Sequence, residues 1–366
     1  MKRLALYLCC VVVLAACDKK DDAKPTKPAA DKPAAAAPKP TGINDPGNDP
    51  KIVALAKKAM GCKWVSGSFD SECADAKAWQ TETDALDTKG DATLVAFFED
   101  SDEKVRSLVL KRFTDWNKPF EDKALAERLV SVAEKSKAAN EMYPLGNVIS
   151  HMKVAETGLF PRIKALVTSP SVDPAMRAAI LMYLLQTNPE SEEVVGLTRE
   201  SIKDKESRVN RNALEGFSMS GTDKPNEVRC DVFLENIDHE DNDLAGESVE
   251  FLTQPRFGCK ARFDAVLKSL DARVKAKNVT VATFVNALTS VCGDKAGTPA
   301  QMKTANGLAH KLADDKTVSS SVRARAIEAS VKCDPKGAKA YLGKFKKDAD
   351  PEVKATVTRM TATKKK

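Results

Sequence analysis

The sequence contains few of the residues from which catalytic and metal sites are built. It has three histidines in 366 residues, and His151, His239 and His310 are too widely separated to show the spacing of metal ligands. It also lacks a CxxC motif, a Gly-rich phosphate loop and the GxSxG, HExxH and DxDxDG signatures. We therefore expect no catalytic residue, no cofactor, no metal ion and no small-molecule substrate. An enzyme whose site is assembled across several repeats is the alternative.

Aromatic residues are scarce as well, at 5% of the chain, whereas Ala, Leu, Val and Lys are plentiful. This composition favours helices that pack through small and aliphatic side chains. The lysine-rich last third has no interleaved aromatic side chains on which bases could stack. Nucleic acid is therefore not expected as a partner.

The N-terminus has the pattern of an export signal. Lys2-Arg3 precede an apolar run, the small residues Ala15-Ala16 end it, and charged residues begin at Asp18. The apolar run is shorter than the roughly 20 residues that a membrane span needs. We predict a signal peptide over residues 1–16, with an uncleaved membrane helix as the alternative.

The string Leu14-Ala15-Ala16-Cys17 resembles the lipobox of bacterial lipoproteins. The resemblance implies cleavage before Cys17 and lipidation of its thiol and amino group, which would anchor the chain firmly because two or more acyl chains hold a membrane stably. The folded part would then lie outside the cytoplasm, held at the cell membrane or outer membrane, and in the periplasm of a Gram-negative cell. Residues 17–50 are rich in Pro, Ala and Lys, so we predict a disordered tether with a reach on the order of 100 Å.

Six cysteines follow the predicted lipidation site. An even number in an exported chain indicates disulfides, although six cysteines allow fifteen connectivities. Their spacing favours three local pairs, and a metal site is the alternative. The pairs are Cys62 with Cys73, Cys230 with Cys259, and Cys292 with Cys333. We expect the last two cysteines to lie just beyond the ends of their helices.

The remainder of the chain shows a helical pattern that recurs with a period of about 35 residues, which is typical of a solenoid. An apolar residue opens each repeat, and a side chain that can cap a helix stands three positions earlier. The clearest caps are Asp102, Asp173, Asp241 and Asp350, and the same column contains Glu206, Asn278 and Ser319. Only Ala139 breaks the column, with Asn140 beside it as a substitute. Each capped helix is preceded by another amphipathic stretch, so the repeat is a helical hairpin.

We therefore predict an all-α solenoid of eight to nine stacked hairpins. Residues 51–89 form an N-terminal capping hairpin, residues 90–363 form the repeats, and residues 364–366 form a basic tail. Leu94 to Asp100 followed by Asp102-Glu103-Lys104-Val105-Arg106 resembles a HEAT-type unit. The resemblance implies a curved scaffold whose second helices line a concave binding face, and it implies no reaction. Arg106, Arg177 and Arg323 are expected to pair with aspartates in the turns rather than with a ligand.

Charge is distributed unevenly along the repeats. Residues 191–254 hold 16 acidic and 7 basic side chains, a net charge of −9, whereas residues 255–366 hold 24 basic and 10 acidic ones, a net charge of +14. An uneven distribution of charge affects which molecules the protein attracts rather than how the chain folds. Lys344, Lys346 and Lys347 are candidates for contact with an anion, and a merely solubilising surface is the alternative.

The sequence thus predicts a membrane-anchored, non-enzymatic scaffold that binds another protein of the cell envelope through its repeats. The alternative is a binder or sensor of an anionic envelope polymer or lipid, which would use the basic C-terminal third.

Overall fold

A computed structural model describes residues 42–65, 68–70, 72–84, 88–220, 227–279, 282–293 and 296–362. The predicted signal peptide, Cys17, the tether up to residue 41 and the tail over 364–366 lie outside these ranges. None of the helices in the described part combines the length and the apolar character that crossing a membrane requires.

The repeats are eight α-helical hairpins, here called units 1 to 8, as the sequence predicted. Their helices are α3 (Thr88–Phe98) and α4 (Glu103–Thr114), α5 (Lys123–Ala133) and α6 (Ala139–Ser150), α8 (Phe160–Thr168) and α9 (Pro174–Thr187), α10 (Glu192–Ser201) and α11 (Ser207–Met219), α12 (Glu227–Glu235) and α13 (Asn242–Thr253), α14 (Phe263–Lys275) and α15 (Thr283–Cys292), α16 (Pro299–Asp314) and α17 (Ser320–Cys333), and α18 (Ala338–Phe345) and α19 (Pro351–Ala362). A single helical turn, α7 (Val154–Thr157), lies between units 2 and 3.

The N-terminal cap is more elaborate than a helical hairpin. Helix α1 (Pro50–Ala59) and helix α2 (Ala74–Asp84) are joined through two short antiparallel strands, β1 (Trp64–Val65) and β2 (Ser68–Phe69). The disulfide between Cys62 and Cys73 closes this connection.

The tether is shorter than predicted, because residues 42–49 already belong to the folded body. A 3-10 turn spans Gly42–Asn44, and the amide of Ile43 donates to the carboxylate of Asp100 at 2.7 Å. The amide of Asp49 donates to the hydroxyl of Thr93 at 2.9 Å. These long-range hydrogen bonds offset the ordering entropy of a segment that has little apolar surface of its own.

The second helices of successive units pack against one another from α4 to α19. Each buries an apolar stripe one turn apart; in unit 1, Val105, Val109 and Phe113 are at most 1% exposed. Two glycines bring helices of units 2 to 4 unusually close. A Cβ on Gly146 of α6 would lie 2.6 Å from the carbonyl oxygen of Met176, and a Cβ on Gly216 of α11 would lie 2.6 Å from that of Leu181.

Disulfides join neighbouring units in the second half of the stack. Cys230 of α12 pairs with Cys259, which lies shortly before α14, with their Cα atoms 5.5 Å apart. Cys292 and Cys333 pair with a Cα separation of 4.8 Å. These two are the last residues of α15 and α17, rather than lying beyond the helix ends as expected. Helix ends converge closely enough there for the short Cα separation that a disulfide requires.

Most predicted capping residues accept hydrogen bonds from the first turn of their helices. The carboxylates of Asp102, Asp173, Asp241 and Asp350 accept from the amides of Lys104 (2.9 Å), Ala175 (2.7 Å), Asp243 (2.8 Å) and Glu352 (2.9 Å). The predicted caps in units 2, 4 and 6 were wrong. Helix α6 follows Ala138 and α15 follows Ala282, both without a side-chain cap, because Asn140 lies inside α6 and Asn278 lies five residues before the first residue of α15. Glu206 stands at the start of α11, but its side chain accepts no hydrogen bond from the first turn.

Candidate functional site

A cavity with a volume of about 470 Å³ lies at the junction of units 2 and 3. Its floor is apolar, because Met142 of α6, Leu166 of α8 and Met176 of α9 are nearly completely buried there. The missing side chain at Gly146 lets α6 approach the backbone of Met176 closely. Met142 and Met176 therefore lie near each other, each in the first turns of its helix. Methionine is adaptable in shape, so such a floor can accommodate different apolar side chains.

The rim of this junction cavity is polar and charged. Arg162 of α8 donates to both carboxylate oxygens of Glu134, at 2.9 and 2.6 Å, and to the hydroxyl of Ser131. This bidentate pair lowers the pKa of Glu134 and raises that of Arg162, chiefly through the hydrogen bond between them. Lys137 on the same rim is exposed and forms no ion pair within the described ranges. Asp173, the cap of α9, also lines the cavity.

Two tyrosines lie on the second helices of units 2 and 3, which also carry the methionines of the cavity floor. Tyr143 follows Met142 in α6, Tyr183 lies in α9, and both are half-buried. Burial raises the pKa of Tyr183, and the nearby Tyr143 and Glu215 raise it further. The ring of His151 stacks on Tyr183 with centroids 5.2 Å apart. Tyrosines that are partly buried on a rigid helix present a large, ordered contact surface.

The three histidines occupy structural positions. His151 is buried, which lowers its pKa, and its Nδ1 lies 2.9 Å from the carbonyl oxygen of Asn147. Nδ1 of His239 accepts from the amide of Asp241 at 3.0 Å. His310 stacks on Tyr341 with centroids 4.1 Å apart. Across the described residues, no group of three His, Cys, Asp or Glu side chains is placed to hold a metal ion.

A second cavity, of about 250 Å³, lies between α16, α17 and α18. His310, Ser330, Asp334, Tyr341 and Lys344 supply its polar lining. The hydroxyl of Tyr341 is buried. Burial raises the pKa of Tyr341, while burial and the nearby Lys344 lower that of His310.

The predicted anion contacts lie on the exposed side of the last unit. Lys344 is in α18, and Lys346 and Lys347 follow it in the turn before α19. The ammonium of Lys344 lies 5.5 Å from the ring centroid of Tyr341.

Arg177 and Arg323 pair with turn aspartates as expected, whereas Arg106 pairs with a glutamate inside a helix; each pair joins consecutive units. Arg177 of unit 3 is 4% exposed and bonds Asp204 in the turn of unit 4. Arg323 of unit 7 is 5% exposed and bonds Asp348 in the turn of unit 8 at 2.6 Å. Arg106 of unit 1 bonds Glu141, in the first turn of α6, at 2.8 Å. The acid always comes from the following unit, which the sequence could not specify.

The junction cavity and the two tyrosines were not singled out from the sequence. A usable signal existed, because only four tyrosines occur in the chain, and Tyr143 and Tyr183 fall on second helices of consecutive predicted repeats. The sequence predicted the helices themselves, but not the distance between α6 and α9, and the cavity depends on that distance.

Comparison with known proteins gives little further guidance. No protein-family model matches the sequence, and no curated protein matches it. Among solved structures, 23 chains match. One is the crystal structure of Kap121p bound to Ste12p, with a TM-score of 0.44 and 14% identity, covering 85% of this chain and 38% of that chain. This chain thus spans about two fifths of the length of that neighbour. A likeness at this level identifies neither a family nor a function.

Proposed function

We propose that this protein is a non-enzymatic scaffold, anchored by lipid on Cys17, that binds another protein of the cell envelope at the junction of units 2 and 3. The observation that carries the proposal is the junction cavity of about 470 Å³, with its apolar floor and charged rim. A cavity of this size with a few convergent polar groups is the usual form of a binding site.

The neighbouring surface supports a protein ligand rather than a small molecule. Tyr143 and Tyr183 are partly exposed on α6 and α9, the helices that carry Met142 and Met176, and would offer additional contact area to a protein. An apolar side chain of the partner would enter above Met142 and Met176. Its backbone or an acidic side chain would meet Lys137 at the rim.

The membrane anchor rests on the resemblance of Leu14-Ala15-Ala16-Cys17 to a lipobox. An anchor and a tether would confine the scaffold to the region near one membrane. A scaffold there would raise the local concentration of its partner without any chemistry of its own.

Site-specific photocrosslinking in intact cells tests the proposal. A photoreactive residue at Ser171, which lines the junction cavity, should capture one defined envelope protein, whereas the same residue at the exposed Ala355 of α19 should not. Replacing Tyr143 and Tyr183 by Ala should reduce capture from Ser171 by tenfold or more, because truncating an interface tyrosine anchor often costs about 2 kcal/mol.

Two outcomes would contradict different parts of the proposal. Equal capture from Ser171 and Ala355, or none from either, would show that the junction is not the binding site. Capture that persists at the same level in a Cys17→Ala variant would show that binding does not require the anchor.

A further inference from the structure

We propose that the exposed face of α18 docks electrostatically on the headgroups of an anionic phospholipid bilayer. This surface, here called the lysine face, consists of Lys336, Lys339, Lys344, Lys346 and Lys347. All five side chains are exposed, and residues 335–347 contain no acidic residue. The proposal is independent of the protein partner at the junction of units 2 and 3.

The lysine face differs from the equivalent faces of the other units. First helices elsewhere are linked by ion pairs, such as Arg128 with Glu99, Arg199 with Glu235, and Lys311 with Asp271. None of the five lysines of the lysine face forms an ion pair with a carboxylate in the described ranges. Nearby arginines do, since Arg323, Arg325 and Arg359 are all paired. The positive charge of this face is therefore available to an external partner.

Small residues separate the lysines of this face. Ala340 and Gly343 are exposed between them, and nothing lies within 4 Å of the position a Cβ would take on Gly343. Lys344 and Ala340 also line the second cavity. The apolar side of α18 is already used, because Tyr341, Leu342 and Phe345 are buried against the rest of the stack. The helix can thus lie on a charged surface but has no apolar side chains with which to insert.

A bilayer fits these properties better than a single acidic polymer chain. Lysines spread over a face can each meet a separate headgroup, and such clusters bind anionic lipid surfaces with contributions that add along the cluster. An extended polymer would be held best by charges that line one continuous groove, whereas the five lysines are spread over the turn before α18, the helix itself and the turn after it, with small exposed residues between them.

Vesicle binding by the full chain tests the proposal. The measured quantity is the ratio of binding to vesicles of phosphatidylglycerol and phosphatidylcholine over binding to phosphatidylcholine alone, so that any contribution of the N-terminus to neutral membranes cancels. Replacing Lys339, Lys346 and Lys347 by Gln should lower this ratio on the order of 100-fold, at roughly fivefold for each lysine near the surface. Added salt should weaken the wild-type binding steeply and reversibly.

A matched variant controls for total charge. Lys57, Lys58 and Lys164 are exposed and form no ion pair with a described carboxylate, so their replacement by Gln removes the same charge elsewhere. This control should bind as the wild type does. Circular dichroism melting curves should be the same for both variants, and the wild-type salt titration tests the proposal even if one variant fails to fold.

Three results would overturn the proposal. The first is an equal loss of binding in the lysine-face variant and the control, which would indicate a general charge effect. The second is wild-type binding to anionic vesicles that salt does not weaken. The third is lysine-dependent binding to soluble polyglutamate without binding to the vesicles, which would assign the face to an acidic polymer.

Discussion

Units 2 to 4 and units 5 to 7 are built from the same hairpin but are held together differently. In units 2 to 4 the second helices approach at Gly146 and Gly216, and residues 123–220 contain no cysteine. In units 5 to 7 two disulfides join consecutive units, Cys230 with Cys259 and Cys292 with Cys333. The first group depends on close contact between helix backbones, and the second on covalent links.

The difference shows two ways to stabilise an array whose units contact only their neighbours. Close packing adds dispersion contacts along the whole interface and leaves no room for additional atoms. A disulfide restricts the unfolded chain at one point and tolerates a looser interface around it. The binding junction that we propose lies in the closely packed group, where helix positions are fixed most tightly.

Removing the two inter-unit disulfides is expected to have the largest effect. Replacing Cys230, Cys259, Cys292 and Cys333 by Ser should lower the free energy of unfolding of units 5 to 7 by about 3–4 kcal/mol for each link, given the loops they close. Hydrogen exchange measured by mass spectrometry should show faster exchange in α12 to α17. Exchange in α6 and α9 should stay unchanged, and an equal acceleration there would contradict the division into two groups.

Filling the close contacts in units 2 to 4 should have a smaller effect. Gly146→Ala and Gly216→Ala each place a Cβ 2.6 Å from a backbone carbonyl oxygen, so each should lower the free energy of unfolding by about 1–3 kcal/mol in urea denaturation. Gly196 of α10 is the matched control, because nothing lies within 4 Å of its Cβ position. Gly196→Ala should stabilise by up to about 1 kcal/mol, since alanine favours helix more than glycine does. A loss of stability at Gly196 similar to that at Gly146 would argue against the close-packing explanation.

The smallest effect is expected on acidification and should be confined to the last units. The hydrogen bond from Arg323 lowers the pKa of Asp348, and the hydrogen bond from Ser320 lowers that of Asp350. Carboxylates with lowered pKa values stabilise the fold above their unfolded pKa near 4, and this contribution is lost as the pH falls through the lower folded values. The protection factors of the amides in α17 to α19, which compare their exchange with that of the unfolded chain at the same pH, should therefore fall below about pH 4. In an Asp348→Asn variant this fall should be smaller, and an unchanged fall would assign it to other groups.

Much of the fold follows from local sequence patterns. The recurring helical hairpins are present, and the predicted caps Asp102, Asp173, Asp241 and Asp350 stand at the starts of α4, α9, α13 and α19. Apolar periodicity and capping aspartates determine such elements within a few residues. The prediction that Asn278 caps a helix was wrong because the residue type alone does not fix where the helix begins. The backbone path places the first turn of α15 beyond the reach of the Asn278 side chain.

The site could not be predicted to the same extent, because it depends on distances between units. The sequence shows Met142 and Met176 as apolar positions of neighbouring repeats, but not that Gly146 brings their helices together. In the same way, Arg162 and Glu134 are 28 residues apart and give no sign of pairing until α5 and α8 are placed side by side. Lys344, Lys346 and Lys347 were identified because a local excess of charge is visible without any tertiary information.

The pairing of a buried arginine with an acid of the following unit gives the stack a direction. Arg323 in unit 7 receives its carboxylate partner from Asp348 in unit 8, and Arg177 in unit 3 receives its partner from Asp204 in unit 4. During synthesis, each of these guanidinium groups therefore gains its partner only after the turn of the next unit has emerged.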